Sequence, residues 1–181
     1  MYPIKLGFDE ALNRINALLK NGHNAEALVT SVFTLEKLMR RCLRVAILAR
    51  GFTSKHADDL LDRKGFYDLK DLWEVFDVDH RQLHSIIGNA NWQHVPEAVT
   101  MRNKLVHGQQ VYNQEKCETY AKHTIAALKK LHSTIRNDYG TDPWATLTRR
   151  TKPKLEWHPV NNSLSEKQPA KNKKGKQTRK K

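Results

Sequence analysis

Arg102, Asn103 and His107 are the residues of this chain whose types and spacing suit chemistry. Arginine carries a permanent charge and a fork of donors that fits phosphate oxygens. Histidine takes or gives a proton near neutral pH. Together they suit cleavage of a phosphodiester in RNA, where the ribose 2′-hydroxyl is an internal nucleophile. That reaction needs a base, an acid and stabilisation of a crowded, negative transition state. It calls for no metal and no cofactor, and none is expected here. One chain offers one such histidine, and two copies across a two-fold axis would offer two, able to serve as base and acid.

The elements that must position these residues are helices. Val95, Ala98, Arg102 and Leu105 fall on one stripe at three, four, three spacing, so Arg102 occupies a position where a core pattern asks for an apolar residue. Pro96 suits the first turn of this helix, and Gly108 suits its end. Five positions on a helix span about 140° and roughly 7.5 Å, so Arg102 and His107 share a site only if the helix stops near His107. Asn103 lies four before His107 on the same face, placed to hold the imidazole or to contact a phosphate. An arginine on a core stripe needs a partner, and Glu36 is the obvious one. The competing partner for Glu36 is Arg40, one turn along its own helix.

Around this motif the periodicity predicts an all-α bundle of four main helices plus short ones. Phe8, Leu12, Ile15 and Leu19 mark a first helix over about 7–20. A longer one over about 25–50 carries Leu28, Val32, Leu35, Met39, Cys42, Ala46 and Ala49 on one stripe. Its second stripe is Val29, Phe33, Glu36, Arg40, Leu43 and Ile47, interrupted by the two charges. A helix apolar over so wide an arc is central. Short helices are expected over about 55–61, 69–76 and 80–87, with a turn at Asn89-Ala90-Asn91 and a last helix over about 114–136. Cys42 and Cys117 read as buried small hydrophobes in a reducing compartment.

The charge is lopsided. Of 32 Lys and Arg, 12 lie from Arg149 onward against 2 of the 19 acidic residues, leaving 20 and 17 in residues 1–148. The expected division is therefore a helical domain over 1–140 and a Pro/Lys-rich, disordered basic tail over 141–181. In that tail Arg149, Arg150, Lys152, Lys154, Lys171, Lys173, Lys174, Lys176, Arg179, Lys180 and Lys181 are candidates for contacting nucleic acid, with Lys104 beside the motif. Trp144 and Trp157 suit packing on the bundle better than stacking on bases. His80 and His84, four apart with Asp77 and Asp79 nearby, could grip a metal, but without flanking Cys ligands or a third spaced His they read as a solvated helix face. No apolar run approaches the roughly 20 residues of a membrane span. The first residues lack a signal-peptide layout, so a cytoplasmic protein is expected.

The run Arg102-Asn103-Lys104-Leu105-Val106-His107, with its asparagine after the arginine, resembles the signature of HEPN domains, in which Arg, four to six residues, then His is the motif. The resemblance extends over residues 1–138: a bundle, a long central helix with an acidic residue, the motif late in the domain, then one more long helix. It implies a homodimeric, metal-independent endoribonuclease with two motifs facing one cleft, often a toxin or phage-defence effector, in some cases restrained by an inhibitory partner protein. Arg102 and His107 would be the catalytic pair, Asn103 the polar helper, Glu36 and Arg40 the support. The family also contains inactive members, so the alternative is a non-catalytic module that binds nucleic acid or a partner protein. Arg50 and His56 satisfy the same loose spacing, but across a helix end and a loop start, and read as a chance match.

Overall fold

The computed structural model describes residues 7–147 and 149–154. These residues form eight helices and no strand: α1 (Phe8–Lys20), α2 (Asn24–Ala49), α3 (Ser54–Leu61), α4 (Phe66–Phe76), α5 (Leu83–Ile87), α6 (Asn89–Trp92), α7 (Val95–Val106) and α8 (Gln114–Tyr139). The fold is all-α. None of these helices is long and apolar enough to cross a membrane.

The long helix α2 is the axis of the bundle, touching α1, α3, α4, α7 and α8. Its broad apolar arc makes this geometry, because Leu28, Val32, Leu35, Leu38, Met39, Cys42 and Ile47 are fully buried on different sides of one helix. The widest seam is with α8, whose Cys117, Ala121, Thr124, Leu128 and Leu131 are also fully buried. Both cysteines are free thiols, and burial raises each thiol pKa. Buried hydroxyls in the seam are satisfied locally: Thr124 donates to the Tyr120 carbonyl at 2.8 Å, and Ser31 to that of Leu28 at 2.8 Å.

Several boundaries differ from the periodic pattern, each for a local reason. The helix expected over 69–76 begins at Phe66, because the Asp68 carboxylate accepts the Gly65 N–H at 3.0 Å and starts the first turn early. The helix expected over 80–87 begins only at Leu83, because His80 adopts φ +54° and its ring bonds the Glu74 carbonyl. His80 and His84 therefore do not share a helix face. Asn89-Ala90-Asn91, expected as a turn, lies within one helical turn, Asn89–Trp92, that starts on Gly88 at φ +89°. The last helix continues to Tyr139, where Gly140 in the left-handed region ends it.

The larger difference lies after α8. A flexible tail is expected from 141, but residues 141–147 and 149–154 dock on α2 and the α2–α3 junction. Trp144 is buried against the core. Arg41 donates to the carbonyls of Pro143 (2.8 Å), Trp144 (2.5 Å) and Ala145 (2.8 Å). Further on, the Ser54 N–H donates to the Arg150 carbonyl at 2.9 Å and the Lys154 N–H to that of Gly51 at 2.8 Å. Prolines keep this segment out of a helix but do not prevent it from being strapped down by side-chain donors. Trp157 and the lysine-rich stretch that follows it lie outside the described residues.

Candidate functional site

Arg102 reaches across from α7 to α2 and pairs there with Glu36 through its Nη2. Both side chains are largely covered, at 14 % and 19 % exposure. The guanidinium also lies over the Phe33 ring, 4.7 Å from its centre. Phe33 belongs to the apolar stripe of α2, yet it is 47 % exposed. The core-stripe reading of Arg102 holds, and so does its pairing with Glu36 rather than the Glu36–Arg40 pair along one helix. Burial pushes the Glu36 carboxyl upward, and the pull of Arg102, then of Arg40, does not fully offset it. The ion pair and this shift point in different directions for stability. We take the contact as a device that fixes where Arg102 sits, since covered pairs seldom add net stability. Arg102 Nε is buried without a partner among the described residues, so the guanidinium is held by one nitrogen and a ring face.

Arg40 has a different task. It donates to the carbonyls of Leu61 and, at 2.5 Å, of Lys64, satisfying acceptors at the end of α3 and in the α3–α4 turn. Its support for Glu36 is electrostatic and at a distance, while its hydrogen bonds are structural.

His107 is the C-terminal cap of α7, at φ −90° and ψ 5°. Gly108 follows at φ +63°, its N–H donating to the Leu105 carbonyl at 3.2 Å, and the Gln109 N–H donates to that of Lys104 at 2.8 Å. This paired closure ends the helix at His107. His107 and Asn103 are both exposed, one turn apart, and neither side chain bonds another described residue. Lys104 is half-buried and donates to Gln110 at 3.3 Å, tying the motif helix to the connection before α8. Around the motif, Val106 and Val111 are exposed at 50 % and 90 %.

The other basic candidates separate by position. Arg149, Lys152 and Lys154 are exposed. Arg150 is half-buried, and its guanidinium donates to the Leu48 carbonyl at the end of α2, a favourable place for a cation. Lys171, Lys173, Lys174, Lys176, Arg179, Lys180 and Lys181 lie outside the described residues. The second Arg–His spacing is not a site: Arg50 donates to the Asp77 carbonyl at 2.7 Å, and His56 lies in α3 edge-on to Phe52.

Two features escaped the sequence reading. Lys37, Arg41 and Arg44 repeat at four and three on α2, a cationic spacing that falls outside both apolar stripes of the same helix. Asp77 read only as a neighbour of His80 and His84. In fact its side chain has no exposure, and it accepts from Arg81 Nε and Nη2 at 2.9 Å each and from the N–H groups of Arg81 and Asp79. Burial raises its pKa, but the Arg81 fork and these N–H groups lower it further, so the balance is a depressed value. Arg81 also bonds Asp138 at 2.5 Å, tying the α4–α5 loop to the end of α8.

Comparison of the chain with protein-family models, with curated proteins and with solved structures finds no match in any of the three.

Proposed function

We propose that the chain is a metal-independent endoribonuclease of the HEPN type, acting as a homodimer with two copies of the motif at one cleft. The observation that carries this reading is the Arg102–Glu36 pair. A charged side chain is held at a core-stripe position by the central helix, one helix end away from an exposed histidine. In the proposed reaction the ribose 2′-oxygen attacks the adjacent phosphorus while one His107 takes its proton. The bond from phosphorus to the 5′-oxygen breaks, and the protonated His107 of the other copy gives that oxygen its proton. The products are a 2′,3′-cyclic phosphate and a 5′-hydroxyl. Arg102 stabilises the negative charge that builds on the non-bridging oxygens, and Asn103, on the His107 face, positions the phosphate or the imidazole. Exposed Phe33, Val106 and Val111 beside the motif are apolar surface that a second copy would cover. The test is incubation of purified protein with RNA in EDTA beside its His107→Ala variant. The reading requires cleavage by the first and not by the second.

One observation favours a second reading, a non-catalytic module that binds nucleic acid or a partner protein. No described side chain orients the His107 imidazole. Salt-dependent RNA binding without products would support it. A toxin-type role predicts arrested growth on expression, relieved by His107→Ala, and an inhibitory partner would relieve the arrest with the site intact.

A further inference from the structure

The turn that follows α8 closes one side of an open groove against α2, with a volume of about 550 Å³. Its charged lining is Lys37, Arg41 and Arg44, one cation per turn of α2, and no carboxylate lines it among the described residues. Each cation is held differently. Arg41 is fixed by three backbone carbonyls, which take hydrogens of its Nε and Nη2 only and leave its charge unneutralised. Lys37 is exposed, with its ammonium 4.9 Å from the centre of the Trp144 ring and no carboxylate partner among the described residues. Arg44 pairs with Asp58, whose side chain is 64 % exposed, so that pair lies at the wet edge and opens readily. The nearby acid, Asp142, is committed elsewhere: it bonds His132 and the Trp144 N–H, both at 2.8 Å. A fixed guanidinium flanked by two movable cations, with no counter-charge inside, is a receptor for phosphate oxygens.

The groove lies along the same helix that carries Phe33 and Glu36. Arg44 is eight residues beyond Glu36, which is about 12 Å along an α-helix. We infer that the Lys37–Arg41–Arg44 groove is a phosphate-binding subsite that holds the RNA strand a few nucleotides from the position of Arg102. The inference rests on the RNA reading for its choice of polyanion, but it concerns binding and not bond cleavage. Trp144 serves as a wall under Lys37 and Arg41 and not as a stacking surface, because it is 9 % exposed.

The experiment measures binding of the full chain to a short 2′-O-methyl RNA oligonucleotide, which has no free 2′-hydroxyl and is not cut. Kd is followed by fluorescence anisotropy between about 50 and 200 mM salt. Each lost contact to single-stranded phosphate lowers the slope of log affinity on log salt by about 0.7. Lys37→Ala, at an exposed position, is expected to lower it by about 0.7, and Lys37→Ala with Arg44→Ala by about 1.4, with affinity weakened roughly tenfold or more at low salt. Lys70→Ala, on α4, keeps the wild-type slope. An unchanged slope and affinity in the double variant would overturn the inference, as would a wild-type protein that does not bind the oligonucleotide. If the double variant loses slope while wild-type protein cuts no RNA in EDTA, the groove stands and the nuclease reading falls.

Discussion

Replacing Asp77 by Asn isolates a buried charge held by named partners on Arg81 and Asp79. The carboxylate accepts four hydrogen bonds, three of them from Arg81 and two of those from its guanidinium. Asparagine keeps the shape and one oxygen but presents an N–H pair where one guanidinium nitrogen donates. A bond to a charged group contributes about 1.5–3 kcal/mol. Breaking a fully buried pair costs about 3–5 kcal/mol, and Arg81 keeps Asp138 and the longer 3.7 Å contact to Asp79, which lowers the loss. We expect about 3 kcal/mol at pH 7. For a domain of this size that is a fall in Tm of about 6–12 °C. The sign with pH follows from the depressed folded pKa. The unfolded state binds the proton more tightly, so Asp77 contributes stability above the ordinary aspartate pKa of about 3.9 and loses it as pH falls through its lower folded value. Urea unfolding of both proteins at pH 7 and at stepwise lower pH measures the gap. A gap below about 0.5 kcal/mol at pH 7, or one that widens as pH falls, would refute the network as described.

Glu36→Gln should change stability at neutral pH by no more than about 1 kcal/mol, because burial of the carboxylate offsets the attraction of Arg102. With a raised folded pKa, the wild type should lose ground to this variant as pH rises through that pKa, seen in paired thermal melts. The same variant should slow RNA cleavage about tenfold, since Arg102 loses its charged anchor; unchanged kcat/KM would show that the pair does not position it. Trp144→Ala should cost about 3 kcal/mol in urea unfolding, as expected for removing a buried aromatic from a core. A negligible loss would mean that the 141–147 turn is not part of the cooperative unit. Gly108→Ala places a side chain at φ +63° and should cost about 1–2 kcal/mol by thermal melting, although nothing crowds the added carbon. A variant as stable as wild type would remove the case for a left-handed closure after His107.

The helices around the motif were legible because most of their apolar residues repeat at helical spacing: α1, α2, α7 and α8 follow stripes that the bundle largely buries. The Arg102–Glu36 pair was legible for the same reason, as two charges on core stripes of different helices leave few other partners. What escaped was written in polar residues and backbone geometry. Asp68 and Gly88 set helix starts through local hydrogen bonds and a positive φ, which periodicity does not register. The packing of Trp144 on the bundle was legible from its residue type, but the docking of the backbone around it was not, because Arg41 and Arg150 hold it through carbonyls, and a carbonyl acceptor leaves no trace in residue type. Phe33 was misplaced inward because a stripe says which face is apolar and not how far along it a neighbour reaches.

The most direct measurement of the central claim is the end-group chemistry of RNA cut in EDTA by the wild-type chain, beside His107→Ala and beside a substrate carrying a single 2′-deoxy nucleotide at the cleaved step. The account predicts a 2′,3′-cyclic phosphate and a 5′-hydroxyl, no product from His107→Ala, and no cut at the deoxy step. Cleavage that survives either His107→Ala or loss of that 2′-hydroxyl would contradict it.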